Sequence, residues 1–225
     1  MPEGITPKTE SLFTGDSVGV KVCGITTGEQ AQQIVALGAD AIGVNYWPKS
    51  KRYIEPARAC EWLSSLDSKV IRVAVFVNPT DDELRSVFDS GCIDFLQLHG
   101  DERSDRVNSL IQEGLPVFKA LGVKDRTMLD GATDFEGKTL LLDAYAPVEY
   151  GGSGETMDWS LGAEAVRQWP DREIILAGGL KPDNIADAIR QVNPAGVDVA
   201  SGVESFPGMK DLDLVKAFIK NARKA

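Results

Sequence analysis

Ala177-Gly178-Gly179-Leu180-Lys181-Pro182-Asp183-Asn184, followed by Gly196-Val197-Asp198-Val199-Ala200-Ser201-Gly202-Val203-Glu204, is the stretch whose reading decides the fold. Each half is an apolar strand that ends in small residues, where backbone N–H groups can face a ligand. The first half then opens a helix, with Asp183 placed to cap it. Two glycine-bearing turns on consecutive strands are what a phosphate site needs on a (β/α)₈ barrel, at the loops after strands 7 and 8. The substrate is therefore expected to be a phosphorylated small molecule, with the chemistry on other strand ends that face it.

Upstream, short apolar runs alternate with amphipathic helical stretches, as βα units around a parallel sheet require. The runs are 18–23, 39–44, 70–77, 94–98, 115–120, 138–143, 172–177 and 196–200. Val70-Ile71-Arg72-Val73-Ala74-Val75-Phe76-Val77 is apolar at nearly every position, which suits a strand covered on both faces. Thr26-x-x-Glu29 and Thr80-x-x-Glu83 read as capping boxes. Helical stripes follow at Ala31, Ile34, Val35 and Leu37, and at Ile185, Ile189 and Val192. Eight strands with interleaved helices favour a closed TIM barrel over a doubly wound sheet. The predicted organisation is one barrel domain over 18–225, with 1–17 as an N-terminal extension lacking periodicity. Residues 144–157 form a long Gly-rich loop after strand 6, a common place for a lid.

Composition removes several alternatives. The 225 residues fit one domain, and a formal charge of −10 argues against a nucleic-acid partner, whose phosphates need concentrated Lys and Arg. An anionic small ligand is still allowed, because helix N-termini and backbone N–H groups can hold it. No apolar stretch is long enough for a membrane span. The first 17 residues show no leader pattern, so the expected location is the cytoplasm. Three cysteines without CxxC spacing argue against a disulfide framework or a zinc site.

Barrel enzymes place their active sites at the C-terminal strand ends. The first strand ends at Cys23-Gly24, the second runs into Pro48-Lys49-Ser50-Lys51-Arg52, and the fourth reaches Gln97-Leu98-His99-Gly100. The sixth ends at Asp143 and the eighth carries Asp198. In a closed ring, a phosphate on strands 7 and 8 is flanked by Asp143 on one side and Cys23 on the other. That suits an acid and a base acting on two atoms of one sugar phosphate. Singly, each residue has a blander reading: a buried thiol, a helix cap, a solvated basic loop, a strand-end histidine.

Together these segments resemble phosphoribosylanthranilate isomerase, a barrel enzyme family of tryptophan biosynthesis. The matching stretches are KVCGIT (21–26), GADAIGVNYWPKSKRYI (38–54), VAVFVN (73–78) and LQLHGDE (96–102). LLLDA (140–144), GGSG (151–154), LAGGLKPDNI (176–185) and GVDVASGVESFPGMKD (196–211) follow in order. The resemblance implies an Amadori rearrangement of N-(5-phosphoribosyl)anthranilate to its 1-deoxyribulose isomer, with no metal and no organic cofactor. It implies Cys23 as the base that takes the ribose C2 proton and Asp143 as the acid that protonates the ring oxygen. Arg52 would meet the anthranilate carboxylate, which its guanidinium fork suits. Gly178, Gly179, Ser201 and Gly202 would hold the phosphate, Gly152 and Gly154 would help close the site, and Asp198 and His99 would support it. The protein would act as a monomer or homodimer. Lys51 in place of a proline, Asn45 in an apolar strand, and Ala200 in place of a serine depart from the family pattern.

These roles make physical demands. Only a thiolate accepts a proton, so Cys23 needs surroundings that favour ionisation, and the start of the first helix is expected to supply them. Asp143 must instead hold a proton at neutral pH, which burial beside a phosphate dianion favours. Two other enzyme readings compete: an indole-glycerol-phosphate synthase, which calls for a catalytic lysine, and a sugar-phosphate epimerase, whose metal-binding histidines a chain with one histidine lacks. A non-catalytic sugar-phosphate sensor is the third alternative.

Overall fold

The computed structural model describes residues 11–13, 15, 17–145 and 156–225. Eight parallel strands close on themselves: β1 (Gly19–Cys23), β2 (Ala41–Asn45), β3 (Ile71–Phe76), β4 (Phe95–Leu98), β5 (Val117–Val123), β6 (Thr139–Ala144), β7 (Glu173–Leu176) and β8 (Gly196–Val199). The register of β1 against both β2 and β8 completes the barrel. Every strand falls within or beside a predicted apolar run. β5 extends beyond its run to Val123, because β6 pairs with it as far as Val123↔Ala144.

Around the barrel lie α1 (Gly28–Ala36), α2 (Pro56–Leu63), α3 (Asp81–Asp89), α4 (Ser104–Gln112), α5 (Arg126–Asp130), α6 (Trp159–Gln168), α7 (Ile185–Val192) and α8 (Leu212–Ala222). A hairpin of β9 (Glu204–Phe206) and β10 (Met209–Lys210) stands between β8 and α8. The capping box at Thr80 and Glu83 forms as expected. Two other caps differ by one residue. Thr27, not Thr26, caps α1 by accepting from the Gln30 N–H, since the Thr26 hydroxyl donates to Gly208 O. Asn184, not Asp183, precedes α7, and its side-chain oxygen accepts from Lys181 N–H instead of from the helix.

Period-2 alternation separates two cores. Outward-facing Val20, Val22, Ile42 and Val44 join the helices in the larger one. Inward-facing Val73, Phe95, Phe118, Leu141 and Ile175 fill the barrel interior, with the Phe95 and Phe118 rings edge to face at 6.4 Å. Leu12 belongs to this inner cluster and is 1% exposed. Within the segment 1–17, expected as an N-terminal extension, Leu12 and Phe13 pack against the barrel, while Gly15 and Ser17 are exposed. Leu12 and Phe13 donate their N–H groups to the Glu173 carboxylate at 2.6 and 2.5 Å, at the N-terminal mouth of the barrel. Phe13 lies where Cβ atoms on Gly19 and Gly196 would stand, and those two glycines are register partners. The odd cysteine count also misled. Cys60 on α2 and Cys92 just before β4 are joined as a disulfide, which leaves Cys23 as the free thiol.

Candidate active site

A cavity of about 570 Å³ opens at the C-terminal strand ends. Cys23, Arg52, Gln97, His99, Asp143 and Asp198 all line it, brought in from β1, the β2–α2 loop, β4, β6 and β8. A smaller hollow adjoins it, bounded by Gly178 and Gly179 after β7 and by Ser201 and Gly202 after β8. Asp143 and Asp198 border both spaces.

Glycine is required at this hollow. Gly178 and Gly179 have φ of +82° and +62°, a region that strains other residues. A Cβ on Gly202 would stand 1.8 Å from Leu180 O, so the two turns interlock and no side chain fits between them. Gly152 and Gly154 lie outside the described residues.

Cys23 ends β1, pointing inward and 8% exposed. The N–H groups of Gly24 and Ile25, which follow it ahead of α1, both donate to Gly43 O. The neighbouring charge is Lys21, two residues earlier on the same face of β1 and wholly buried. Its ammonium lies 2.9 Å from Asp198 Oδ1. Burial pushes the Cys23 thiol up, Lys21 pulls it back, and Asp198 opposes Lys21. Burial also works against the Lys21 charge, but Asp198 and Cys23 outweigh it and hold the ammonium above its ordinary value.

Asp143 is fixed at both oxygens. Oδ1 accepts the Ala144 N–H at 2.8 Å, and Oδ2 faces His99 Nε2 at 3.4 Å. Gln97 Nε2 lies 3.1 Å from His99 Nδ1. With the Gln97 amide donating, the ring carries its proton on Nε2, towards Asp143. A single strand, β4, therefore orients the carboxyl of another, β6.

Arg52 is not left in a loose basic loop. Its Nε and Nη2 donate to Glu204 Oε1 and Oε2 at 2.8 and 2.7 Å. Lys210 adds a bond to Glu204 Oε1 at 2.7 Å and one to Ala200 O at 3.0 Å. Although burial alone raises a carboxyl, Arg52 and Lys210 together hold Glu204 below the ordinary value of 4.5. Burial pulls Lys210 down, an effect only partly offset by Glu204. Lys51 is exposed, and the loop is anchored through the Arg52 side chain and an Arg52 N–H to Ser50 Oγ bond of 3.1 Å. Asn45 lines the cavity and turns the chain by accepting Trp47 N–H at 2.9 Å.

The structure thus gathers Cys23, Arg52, Asp143, Asp198, Ser201, Gly178, Gly179 and Gly202 at one mouth. Sequence reasoning missed Lys21, Glu204 and Lys210, and it gave Gln97, named at the end of the fourth strand, no role. For Lys21 a signal existed, since residues i and i+2 of a strand share a face. Among the described residues, no group of three or more His, Cys, Asp or Glu is placed to hold a metal ion, and no helix is long and apolar enough to cross a membrane.

Comparison with known proteins gives one answer. The family model described as N-(5'-phosphoribosyl)anthranilate (PRA) isomerase matches residues 20–221. A relative named N-(5'-phosphoribosyl)anthranilate isomerase, from Trichlorobacter lovleyi, is 43% identical over 208 residues, covering 92% of this chain and 99% of that protein. The crystal structure of phosphoribosyl anthranilate isomerase from Thermotoga maritima superposes with a TM-score of 0.83 at 41% identity, over 92% of this chain and all of that one. A further structure of such an enzyme, in complex with reduced 1-(o-carboxyphenylamino)-1-deoxyribulose 5-phosphate, superposes with a TM-score of 0.80 at 39% identity, over 92% and 100% of the two chains.

Proposed function

This chain belongs to the N-(5'-phosphoribosyl)anthranilate isomerase family, and from that membership we propose which of its residues perform the reaction. The protein is an intramolecular isomerase of tryptophan biosynthesis. It converts N-(5'-phosphoribosyl)anthranilate to 1-(2-carboxyphenylamino)-1-deoxyribulose 5-phosphate.

Asp143 gives a proton to the furanose ring oxygen, the C1–O bond breaks, and C1 is left as a protonated imine (an iminium) of the anthranilate nitrogen. Cys23, as thiolate, takes the C2 proton and produces an enolamine. Return of a proton at C1, with loss of the C2 hydroxyl proton, gives the ketone, so the atoms balance as an isomerisation demands. Each proton transfer by a positioned group contributes roughly 10²- to 10⁴-fold.

One placement carries this reading. The strands between β6 and β1 on the short way round the ring are β7 and β8, the two that build the glycine-lined hollow. A phosphate seated there, on Gly178, Gly179, Ser201 and Gly202, holds the sugar between Asp143 and Cys23. Arg52 supplies the positive charge on the cavity wall for the anthranilate carboxylate, its fork oriented by Glu204. Gly152 and Gly154 are assigned to closing the site from their motif alone. A phosphate dianion does not cross a bilayer unaided, so the enzyme works in the compartment where its substrate is made, which we take to be the cytoplasm.

The test is turnover of freshly generated substrate, followed by the loss of anthranilate fluorescence. Cys23→Ala and Asp143→Ala should each lower kcat by at least about 10²-fold. A variant that keeps its rate removes that residue from the chemistry.

A further inference from the structure

The least expected group near the site is a lysine inside the barrel. Lys21 is 0% exposed, so its charge is held out of water at a cost of several kcal/mol before any partner is counted. One partner is Asp198, at 2.9 Å. A buried pair of this kind is often no more stable than apolar residues of the same volume, so stability does not account for it. Its position relative to Cys23 does. A Cβ on Gly43 would lie 2.7 Å from Cys23 Sγ and 3.1 Å from Lys21 Nζ. The two atoms therefore share the space that Gly43 leaves, and the Lys21 charge acts on the Cys23 sulfur across it.

We propose that Lys21 is the positioning residue for Cys23: its buried ammonium, anchored by Asp198, stands beside the sulfur and stabilises the thiolate that Cys23 must become to accept a proton. This rests on Cys23 being the base.

The charges facing Cys23 from the surrounding elements support it. Lys21 comes from β1, Asp198 from β8 and Lys210 from β10, while β2 contributes only Gly43 and Asn45 on that side. Arg52 packs over Gly24, beside Cys23, and Glu204 joins Arg52 to Lys210. Three cations thus meet two carboxylates around the thiol. Loss of the Cys23 proton to water balances that cluster. Burial drives the thiol the other way and keeps it above its ordinary value, and Lys21 is the cation that opposes burial most. Lys21 lies behind the sulfur and does not line the cavity, so it acts through Cys23.

The experiment titrates Cys23 without substrate. Thiolate absorbance is recorded against pH for the whole protein and its Cys23→Ser counterpart, and the difference gives the Cys23 midpoint. The same difference is taken in Lys21→Met and in Asp198→Asn backgrounds. In Lys21→Met the midpoint should rise by at least about one pH unit, a tenfold loss of thiolate at neutral pH. Turnover should fall about tenfold with it, KM should stay within about threefold, and raising the pH should restore the rate. In Asp198→Asn the midpoint should fall, because the ammonium is freed for the sulfur. An unchanged midpoint in folded Lys21→Met, or an unchanged or raised one in Asp198→Asn, overturns the proposal. If Lys21→Met does not fold, Asp198→Asn decides alone. Failure of Cys23 as the base is read separately, from the turnover of Cys23→Ala.

Discussion

Arg52 and Glu204, 152 residues apart, form a two-point ion pair at the mouth of the cavity: Nε to Oε1 at 2.8 Å and Nη2 to Oε2 at 2.7 Å. It fastens the loop after β2 to the hairpin after β8, closing over the seam where β1 lies between them. The guanidinium on the cavity wall is thereby held before any ligand arrives, which reduces the ordering cost of binding there.

Glu204→Gln should raise KM several-fold with little change in kcat, because the fork loses its orientation and the acid and base do not. Stability should drop as well, by up to about 3 kcal/mol, since Lys210 is left without its carboxylate. Steady-state kinetics and thermal melting read both effects. An unchanged KM would remove Glu204 as the support of Arg52.

The same carboxyl sets an acid limb of stability. Against the pull of burial, Arg52 and Lys210 hold Glu204 below 4.5, so the folded state binds its proton less readily than the unfolded chain. Its contribution is fully present above about pH 4.5 and is lost as the pH falls through the folded value. Melting temperatures of Glu204→Gln should therefore decline less steeply than those of the parent protein below that point. Parallel curves would refute the linkage.

His99→Ala should lower kcat roughly tenfold while leaving KM nearly unchanged. The ring faces Asp143 Oδ2 at 3.4 Å and is itself steadied by Gln97. Small misplacements of a catalytic group are costly to rate. An unaltered kcat would reduce His99 to a space-filling residue of the cavity wall.

Gly202→Ala should damage phosphate recognition, because the new methyl would overlap Leu180 O and force the two turns apart. KM for substrate and the inhibition constant of inorganic phosphate should both rise at least about tenfold, the loss expected for roughly 1.4 kcal/mol. A rise in KM alone, with phosphate inhibition intact, would move the anion away from this hollow.

Leu12→Ala tests the opposite end. A buried leucine replaced by alanine costs about 2–5 kcal/mol, and Leu12 is 1% exposed. The melting transition should move down accordingly while kcat of the folded enzyme is kept, because the active site opens at the far mouth of the barrel. Unchanged stability would mean the segment packs without contributing.

How far the sequence carried can be seen residue by residue. The eight strands stood out because both faces of each are covered, which leaves long apolar runs. Gly178, Gly179 and Gly202 were legible because close backbone approach excludes every other residue. Glu204 was not legible as the holder of Arg52, since nothing local links residues 152 positions apart. Lys21 was passed over because lysine ordinarily reads as solvent-facing, and only the barrel interior shows why one is kept inside. Leu12 and Phe13 carry no periodicity of their own. Their burial depends on a barrel mouth that exists only after the ring has closed.

That last dependence has a consequence for how the chain is made. The Phe13 ring rests against Gly19 on β1 and Gly196 on β8, the register partners at the closing seam. The two halves of this socket are made at different times, because six strands separate β1 from β8 along the chain. A nascent chain folds from its N-terminal end, so the ring of Phe13 waits with one wall in place until β8 has been made. Its final seating marks the arrival of the eighth strand, and a prematurely ended chain leaves an aromatic side chain exposed for quality control to find.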